Sequence, residues 1–510
     1  MATRTNHLRF SDAPKLTKAV RVNRRDILRL AAVGGLSLNG SALSGLLSAG
    51  EMPRPRHPLE RPNIVLVITD QQHASMMSCT GNRWLKTPAM DALAARGVRF
   101  ERAYCANPVC VPSRFSMMTG ALPSRIGMDR NESASFPVDT EILEHSLGHV
   151  FRAAGYRTVY GGKVHLPGAK GKGIAAYGFE TLTGNEREGL AEACRGFLRE
   201  RHKQPFLLVA SFINPHDICY LAIDAFTQAE GLPLMYPNSA RERECLAEAT
   251  RIPGVAREEF FARVCPSLAA NFKIPENEPA VVRESDWRPF RRYVQESWTE
   301  EDWRMHRWAY ARLTERVDAH IGKVLDTLRD TGLDRRTVVV FTSDHGDMDG
   351  AHRLEHKSMP YEEAIRVPLI VSGPGLTTRG HIDRTHLVST GLDLIPTLCD
   401  LAGFDAPASL TGCSVKPLAR ASQTHCPWRD SLVIENERSR ILISGRYKYA
   451  VYDHGESREM LIDLGLDPGE MQNLAVDPDY ADVLVHHRRL LRRWYDENRA
   501  ALDGKYVVAS

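Results

Sequence analysis

Four apolar, β-branched runs, each followed directly by polar residues, constrain the fold of this 510-residue chain most strongly. Such runs are typical of strands that are buried on both faces of a parallel sheet. Helical patterns lie between them, so a doubly wound α/β sheet with helices on both faces is expected. Ligands of such sheets bind beyond the carboxyl ends of the strands, where these polar residues would collect. The runs are PNIVLVITD (62–70), RTVYGGKVH (157–165), PFLLVASFINPHD (205–217) and TVVVFTSDHGD (337–347).

The remaining patterns predict a large domain and a small one, as expected for a chain of this length. Helices are predicted at 141–155 and 308–332. Residues 218–300 lack a clear period and mix Pro, Arg, Glu and Trp, which favours an irregular insertion that shapes the substrate pocket. Residues 425–505 predict short antiparallel strands and a terminal amphipathic helix, a small C-terminal α+β subdomain. The catalytic domain is then placed at 58–424.

Residues 1–50 are strongly basic. Eight Lys/Arg against two acids give this segment a net charge of +6, which leaves about −3 for the rest of a chain whose total is +3. Arg24 and Arg25, followed by Ile27, Leu28 and a broken apolar stretch, resemble a twin-arginine signal peptide. Export by the Tat machinery would make the protein periplasmic or secreted. The alternative is a disordered basic tail on a cytosolic protein.

The rest of the chain indicates neither a nucleic-acid-binding protein nor a membrane-spanning one, and its cysteines suggest no common scaffold. Without the first 50 residues, no basic excess indicates a nucleic-acid-binding protein. No run of about 18 apolar residues indicates a membrane span in the mature protein. The ten cysteines form no CxxC pair, so neither a zinc ribbon nor a disulfide scaffold is indicated. One or two disulfides stay open if the protein is exported.

Cys110 differs from the other cysteines in its surroundings. Pro112 suits the first turn of a helix, which places Cys110 at a helix N-terminus. The free amides and the helix dipole there lower the pKa of a thiol and attract an anion. Arg114, one turn further on, adds a cation that can bind an oxyanion with two hydrogen bonds. The alternative for a lone cysteine is a small buried hydrophobic residue.

The stretch CVPSRFSMMTG (110–120) matches the C-x-P-S-R-x-x-x-[L/M]-T-G signature of the type I, formylglycine-dependent sulfatases in the alkaline phosphatase superfamily. The resemblance runs from about residue 61 to the C-terminus and is weakest over 218–300. It implies an alkaline phosphatase-like α/β/α sandwich with a mostly parallel sheet, and sulfuric ester hydrolase activity. Further sequence blocks resemble the family in its order: NIVLVITDQQ, GGKVHLPG, SFINPHD, TSDHGDMDGAHRLEHK, YEEAIRVPLIVSGPG and LIDLGLDPGEMQNLA.

The same resemblance implies that a formylglycine-generating enzyme oxidises Cys110 to Cα-formylglycine. A serine or thiol nucleophile would be left as a sulfate or thiosulfate ester that needs a second attack. A hydrated aldehyde has a second hydroxyl group, whose deprotonation expels sulfate and regenerates the aldehyde. An unmodified thiol would also be a poor ligand for a hard cation.

Two pairs of residues at strand ends suggest a metal site. Asp70 and Gln71 follow the first run, and Asp344 and His345 follow the fourth. These mainly oxygen ligands favour Ca²⁺, with Mg²⁺ as the alternative, over zinc. The resemblance makes the four residues, with an oxygen of modified Cys110, the metal ligands. Gln71 and His345 replace the Asp and Asn of many sulfatases, as in choline sulfatases and phosphonate monoester hydrolases. A single Asp after a strand is often only a helix N-cap.

The resemblance also assigns catalytic roles. Lys163 would hold formylglycine and the sulfate, and His165 would act as base in the elimination. His216 would protonate the leaving alcohol, aided by Lys357. His352 is a candidate for a supporting contact behind these residues. The other histidines considered are expected to be structural: His145, His149, His306, His320 and His356.

The substrate stays open at this stage. A sulfated carbohydrate is preferred, because an exported sulfatase with a polar insertion suits extracellular glycans. A phosphonate monoester or phosphodiester hydrolase with the same nucleophile is the second candidate, since Gln71 and His345 are shared with that group. The third is an inactive glycan-binding relative. It is disfavoured because the nucleophile and all the metal ligands are present.

Overall fold

The computed structural model describes residues 61–131, 136–168, 173–284, 288–376, 379–420, 427–498 and 504–508. The described residues belong to one compact unit, Arg56–Ser510. The predicted signal peptide at 1–50 lies outside them.

The described residues form a central sheet of eight strands, a separate pair of strands and a separate sheet of four strands. In chain order the strands are β1 (Asn63–Asp70), β2 (Gly97–Phe100), β3 (Ala103–Tyr104), β4 (Arg157–Gly162), β5 (Glu180–Thr183), β6 (Phe206–Pro215), β7 (Thr337–Ser343), β8 (Leu369–Ser372), β9 (His381–Asp383), β10 (Val388–Ser389), β11 (Ser431–Glu435), β12 (Ser439–Ser444), β13 (Tyr447–Tyr452) and β14 (Glu459–Asp463). The central order is β5-β4-β6-β1-β7-β8-β2-β9, and β8 alone runs antiparallel to its neighbours. Strands β3 and β10 form a separate parallel pair. The four predicted runs form β1, β4, β6 and β7, which are adjacent.

Helices cover both faces of this sheet. They are α1 (Pro88–Arg96), α2 (Cys110–Thr119), α3 (Thr140–Glu144), α4 (Leu147–Ala153), α5 (Glu188–Arg199), α6 (Cys219–Ala229), α7 (Ala240–Ala249), α8 (Arg257–Glu259), α9 (Pro289–Ser297), α10 (Glu300–Asp330), α11 (Glu362–Ile365), α12 (Leu394–Ala402), α13 (Lys416–Ala419) and α14 (Ala481–Asn498). Side chains of a strand alternate between faces. Ile64 and Leu66 therefore pack with α2 and α12, whereas Val65 and Val67 pack with α1, α5 and α10. This α/β/α sandwich confirms the predicted fold class.

A four-stranded antiparallel sheet, β11-β12-β13-β14, forms the C-terminal part. One face, including Leu442, packs on α14, and the other, including Ile441, packs on the body of the protein. Two bonds extend from its first strand toward the centre of the molecule. The Glu435 amide donates to the Ala106 carbonyl over 2.9 Å, and Asn436 Nδ2 donates to the Ser358 carbonyl over 3.1 Å.

The helix predicted at 141–155 is divided into α3 and α4. The Ser146 hydroxyl between them donates to the Tyr177 carbonyl over 3.1 Å. Gly148 in α4 lies so close to this backbone that a Cβ atom there would be 2.3 Å from the Tyr177 oxygen. A contact with a distant segment, which local sequence does not reveal, therefore sets this helix break.

The segment 218–300 is more regular than expected, because it contains α6, α7, α8 and α9. Aromatic side chains hold it together. The rings of Trp298 and Trp303 meet edge to face with centroids 4.9 Å apart. Because these helices are short and interrupted by proline and charged residues, the sequence shows no clear period there.

Two further observations concern the cysteines and helices of the described residues. Among these residues, eight cysteines are free thiols, and Cys413 is disulfide-bonded. Within the described residues, no helix has both the length and the apolar character needed to cross a membrane.

Candidate active site and metal centre

The ends of β1 and β7 bring the two predicted ligand pairs together. These strands are parallel neighbours, with Thr69 paired with Ser343, so the residues that follow lie side by side. Potential ligand atoms of Asp70, Cys110, Asp344 and His345 all lie within 4.8 Å of one another, and all four residues are buried. The structure thus gathers residues from three separate segments at one sheet edge.

Cys110 is the first residue of α2, and three cationic or basic groups surround its thiol. Its Sγ lies 3.0 Å from Lys357 Nζ, 3.1 Å from His345 Nε2 and 3.9 Å from Lys163 Nζ. Burial and the Asp70 carboxylate both act to raise the pKa of the thiol. Lys163, Lys357 and His345 outweigh them and lower this pKa well below its usual value. The position therefore stabilises negative charge on the atom bound to the Cys110 Cβ.

Arg114 bridges the two carboxylates rather than lying open to a ligand. Its Nη2 donates to Asp70 Oδ2 and its Nε to Asp344 Oδ2, each over 2.8 Å. Nη1 donates to Ser211 Oγ over 2.8 Å, and the side chain is almost fully buried. The contacts differ from the oxyanion binding that the sequence suggested. They make Arg114 the group that holds Asp70 and Asp344 side by side.

The two carboxylates respond differently to this environment. Burial would raise the pKa of Asp70, but Lys163, Arg114 and Lys357 lower it well below its usual value. Burial and the nearby Asp70 charge raise the pKa of Asp344. A divalent cation between them would remove this repulsion. Because the donor set is rich in buried carboxylate oxygen, the residues present fit Ca²⁺ or Mg²⁺.

Gln71 connects the metal-ligand candidates to Lys357. Its Oε1 accepts a hydrogen bond from Lys357 Nζ over 2.9 Å and another from Cys219 Sγ over 3.1 Å. Its Nε2 donates to Asp347 Oδ2 over 2.6 Å. Sequence reasoning did not single out Asp347 or Cys219. Asp347 lies in the polar run that follows β7, which was the available signal, whereas nothing local marks Cys219.

His216 and His165 lie in different environments. His216 follows β6 in a short 3₁₀ turn, and burial together with Lys163 and Lys357 lowers its pKa well below the usual value. It is therefore neutral in the free protein. His165 is exposed with φ +42°, and within the described part of the chain no hydrogen bond or ion pair joins it to Cys110. His216 therefore lies close to the charges of the cluster, and the role of His165 stays a prediction.

His352 lies in a separate environment. Its ring stacks on Tyr361 with centroids 3.8 Å apart, and its Nε2 lies 3.3 Å from Asn271 Nδ2. Burial, with smaller contributions from Lys448 and Arg283, lowers its pKa to about 3. His352 therefore packs against its neighbours as a neutral imidazole.

A family model described as Sulfatase matches residues 62–404. A second one, N-sulphoglucosamine sulphohydrolase, C-terminal, matches residues 350–496. The chain belongs to the sulfatase family, and it is a sulfuric ester hydrolase.

Particular relatives show the extent of the similarity. The chain is 31% identical to Delta 4,5-hexuronate-2-O-sulfatase of Bacteroides thetaiotaomicron, over 85% of this chain and 88% of that protein. It is 28% identical to choline-sulfatase of Rhizobium meliloti, over 82% and 83% of the two chains. The solved structure of a 2-O GAG sulfatase aligns with a TM-score of 0.71 and 28% identity, over 88% of this chain and 95% of that one.

Proposed function

We propose that this protein releases inorganic sulfate from a sulfated carbohydrate. The observation that carries the proposal is the cluster of Asp70, Cys110, Asp344 and His345, which Lys163 and Lys357 flank. Relatives whose names describe carbohydrate sulfatases, among them an N-acetylglucosamine-6-O-sulfatase of Bacteroides thetaiotaomicron, support the substrate class. Sulfate hydrolysis needs an anion site and a nucleophile that can be regenerated, and this cluster provides places for both.

The nucleophile of this proposal is Cα-formylglycine, made from Cys110 by a formylglycine-generating enzyme. The family signature around Cys110 supports the modification. The Cys110 Sγ stands where an oxygen of the modified side chain would lie. Lys357 and His345, at 3.0 and 3.1 Å from this sulfur, would hold that oxygen as an anion. Its hydrated form would supply a second hydroxyl group for the release of sulfate.

In this proposal the enzyme uses Ca²⁺ as its cofactor, with Mg²⁺ as the alternative. Asp70, Gln71, Asp344 and His345, with the side chain at 110, would hold it. A divalent cation bound there would lower the pKa of the nucleophilic hydroxyl group and take up charge from the sulfate oxygens. Arg114 keeps the two carboxylates in place for this purpose.

The lysines would bind the sulfate group. Lys163 Nζ lies 2.6 Å from Asp70 Oδ2, and Lys357 Nζ lies 3.0 Å from Cys110 Sγ. His216, whose pKa both lysines lower, would donate a proton to the leaving alcohol once the negative charge of a bound sulfate ester raises that pKa. The role of base, expected for His165, gains no support from its exposed position.

In this proposal the protein acts in the periplasm or in the medium, after export by the Tat machinery. The basic residues 1–50 with their Arg24-Arg25 pair support it. The disulfide-bonded Cys413 also supports it, because disulfides persist mainly in oxidising compartments.

The decisive experiment compares three substrates on protein that has been converted at residue 110. Release of sulfate from sulfated saccharides and from an aryl sulfate is measured beside cleavage of an aryl phosphodiester. We expect the sulfates to react faster, and Cys110→Ala to abolish the reaction while the protein stays folded. Faster cleavage of the phosphodiester would favour the alternative hydrolase. Saccharide binding without turnover of any ester would favour an inactive glycan-binding protein.

A further inference from the structure

Asp347 is a fully buried carboxylate for which the proposed reaction has no use. Its Oδ2 accepts a hydrogen bond from Gln71 Nε2 over 2.6 Å, and its Oδ1 accepts one from the Asp349 amide over 2.8 Å. The first distance is short for a hydrogen bond from an amide nitrogen and is typical of a charged acceptor. Asp347 therefore interacts with Gln71 more strongly than packing alone requires.

The Gln71 amide lies between the Asp347 carboxylate and a lysine. Asp347 also interacts electrostatically with His306 and Arg291. The oxygen end of the amide accepts from Lys357 Nζ over 2.9 Å. The order of groups is thus carboxylate, amide, ammonium. A carboxylate at the N–H end of an amide and a cation at its oxygen end both increase the negative charge on that oxygen.

The orientation of the Gln71 amide follows from the same contact. A carboxylate only accepts hydrogen bonds, so the NH₂ group must face Asp347 and Oε1 must face Lys357 and Cys219. The Gln71 backbone is fixed as well. Its amide donates to Asp344 Oδ1 over 3.1 Å, and its carbonyl accepts from the Tyr310 hydroxyl over 2.6 Å. With the backbone held, the direction of the amide depends on Asp347.

We propose that Asp347 is a positioning residue that aims and polarises the Gln71 amide, so that a neutral glutamine acts here as an anionic oxygen donor. This inference rests on the metal site of the proposed function. It explains how the chain tolerates an uncharged residue beside Asp70 at a site for a divalent cation. The negative charge is present on Asp347, which contacts the far end of the Gln71 amide and so lies one side chain further from the cation. Groups that orient a metal ligand from behind are worth about 10- to 100-fold in metal affinity.

A charge exchange tests this role. The metal-stripped full-length protein is titrated with Ca²⁺ by calorimetry. Asp347→Asn should weaken binding by about 10- to 100-fold, because the acceptor stays and the charge is lost. Gln71→Glu alone should also weaken binding, since two carboxylates then meet. The double variant Gln71→Glu/Asp347→Asn places the charge on the ligand and reverses the hydrogen bond, so it should regain most of the affinity.

Asp349→Asn is the matched control. Asp349 is also buried, and its side chain pairs with Arg307 over 3.2 Å rather than with Gln71. This variant keeps the backbone amide that donates to Asp347, so its affinity for Ca²⁺ should equal that of the wild type. The unfolding temperature in EDTA reports whether each variant folds. If Asp347→Asn does not fold, the comparison of Gln71→Glu with the double variant carries the test.

Three results would overturn the inference: unchanged affinity in Asp347→Asn, no recovery in the double variant, or an equal loss in Asp349→Asn. The titration needs no sulfate ester and no formylglycine. Absence of sulfatase activity in the wild type would therefore remove the proposed function and leave this measurement intact.

Discussion

Arg114 donates from Nε to Oδ2 of Asp344 over 2.8 Å, and this bond ties the start of α2 to the end of β7. The same guanidinium holds Asp70 at the end of β1. The nucleophile position and the two carboxylates are therefore fixed by one planar, permanently charged group. A lysine cannot replace it, because a single ammonium does not present two parallel donors in a fixed geometry.

Arg114→Lys should reduce kcat/KM by about 10²-fold or more, as expected when preorganised charge is lost from an active site. The free energy of unfolding should fall by about 3–5 kcal/mol, because two buried carboxylates lose their partner. Sulfate release and urea unfolding measure the two effects. Arg125→Lys, at an exposed position nearby, should change neither. Normal kcat/KM in Arg114→Lys would contradict the bridging role.

Removal of the cation should destabilise the folded protein. Burial and Asp70 raise the pKa of Asp344, so the empty site holds two carboxylates in conflict. Addition of Ca²⁺ at 100 times its Kd should raise the free energy of unfolding by about 2.7 kcal/mol. Thermal unfolding in EDTA and in a calcium series gives the values. Equal unfolding temperatures throughout the series would show that these residues hold no calcium.

The residue at 110 should be formylglycine in protein from its native host. The peptide that contains residues 106–114 should then be lighter than its cysteine form and should react with hydrazides. Tandem mass spectrometry of a tryptic digest measures both. Protein made in a host without the converting enzyme is the control, and it should carry a free thiol at this position. A free thiol in active protein from the native host would leave the mechanism without its nucleophile.

His352 should make the stability of the protein depend on pH. Its pKa of about 3 in the folded protein lies below the value near 6.5 of an exposed histidine, so the unfolded chain binds the proton more strongly. The stabilisation is present above pH 6.5 and is lost as the pH falls toward 3. At about 1.4 kcal/mol per pH unit, this group costs about 3 kcal/mol between pH 6.5 and pH 4.

His352→Gln should flatten this dependence. Denaturant unfolding at pH 7 and at pH 4 measures the difference between variant and wild type. Because His352 contacts Asn271 and Tyr361 rather than Cys110, kcat/KM should stay close to the wild-type value. A large loss of activity with unchanged stability would instead assign His352 to the active site.

Loss of the disulfide at Cys413 should destabilise the protein. Cys413→Ser should lower the free energy of unfolding by about 2–4 kcal/mol, since the unfolded chain gains freedom. Cys79→Ser, at a half-buried free thiol, should have a smaller effect. Dithiothreitol should lower the unfolding temperature of the wild type and not that of Cys413→Ser. Insensitivity of the wild type to the reductant would contradict a stabilising disulfide.

The sequence predicted those parts of the site that depend on local pattern. An apolar run that ends in Asp predicts both a buried strand and a polar residue at its carboxyl end, and this reasoning located Asp70 and Asp344. The same reasoning placed Cys110 at a helix start. In each case the information lies within about ten neighbouring residues.

Contacts between distant segments were not predictable in this way. Asp347 contacts Gln71 across 276 positions, and Cys219 contacts it across 148. No period or spacing in either segment encodes such a pair, because it arises only when the sheet has formed. The role of His165 stays a prediction, since its side chain is exposed just after β4.

The bond from Asn436 to the Ser358 carbonyl, and that from Glu435 to the Ala106 carbonyl, bear on how the enzyme is made. The segments that carry Lys357 and Cys110 are both braced by a strand that the ribosome produces near the end of translation. A nascent chain released before residue 431 would lack this brace. Competence to cleave an ester would then arise late in synthesis, as a property of the finished polypeptide rather than of its first four hundred residues.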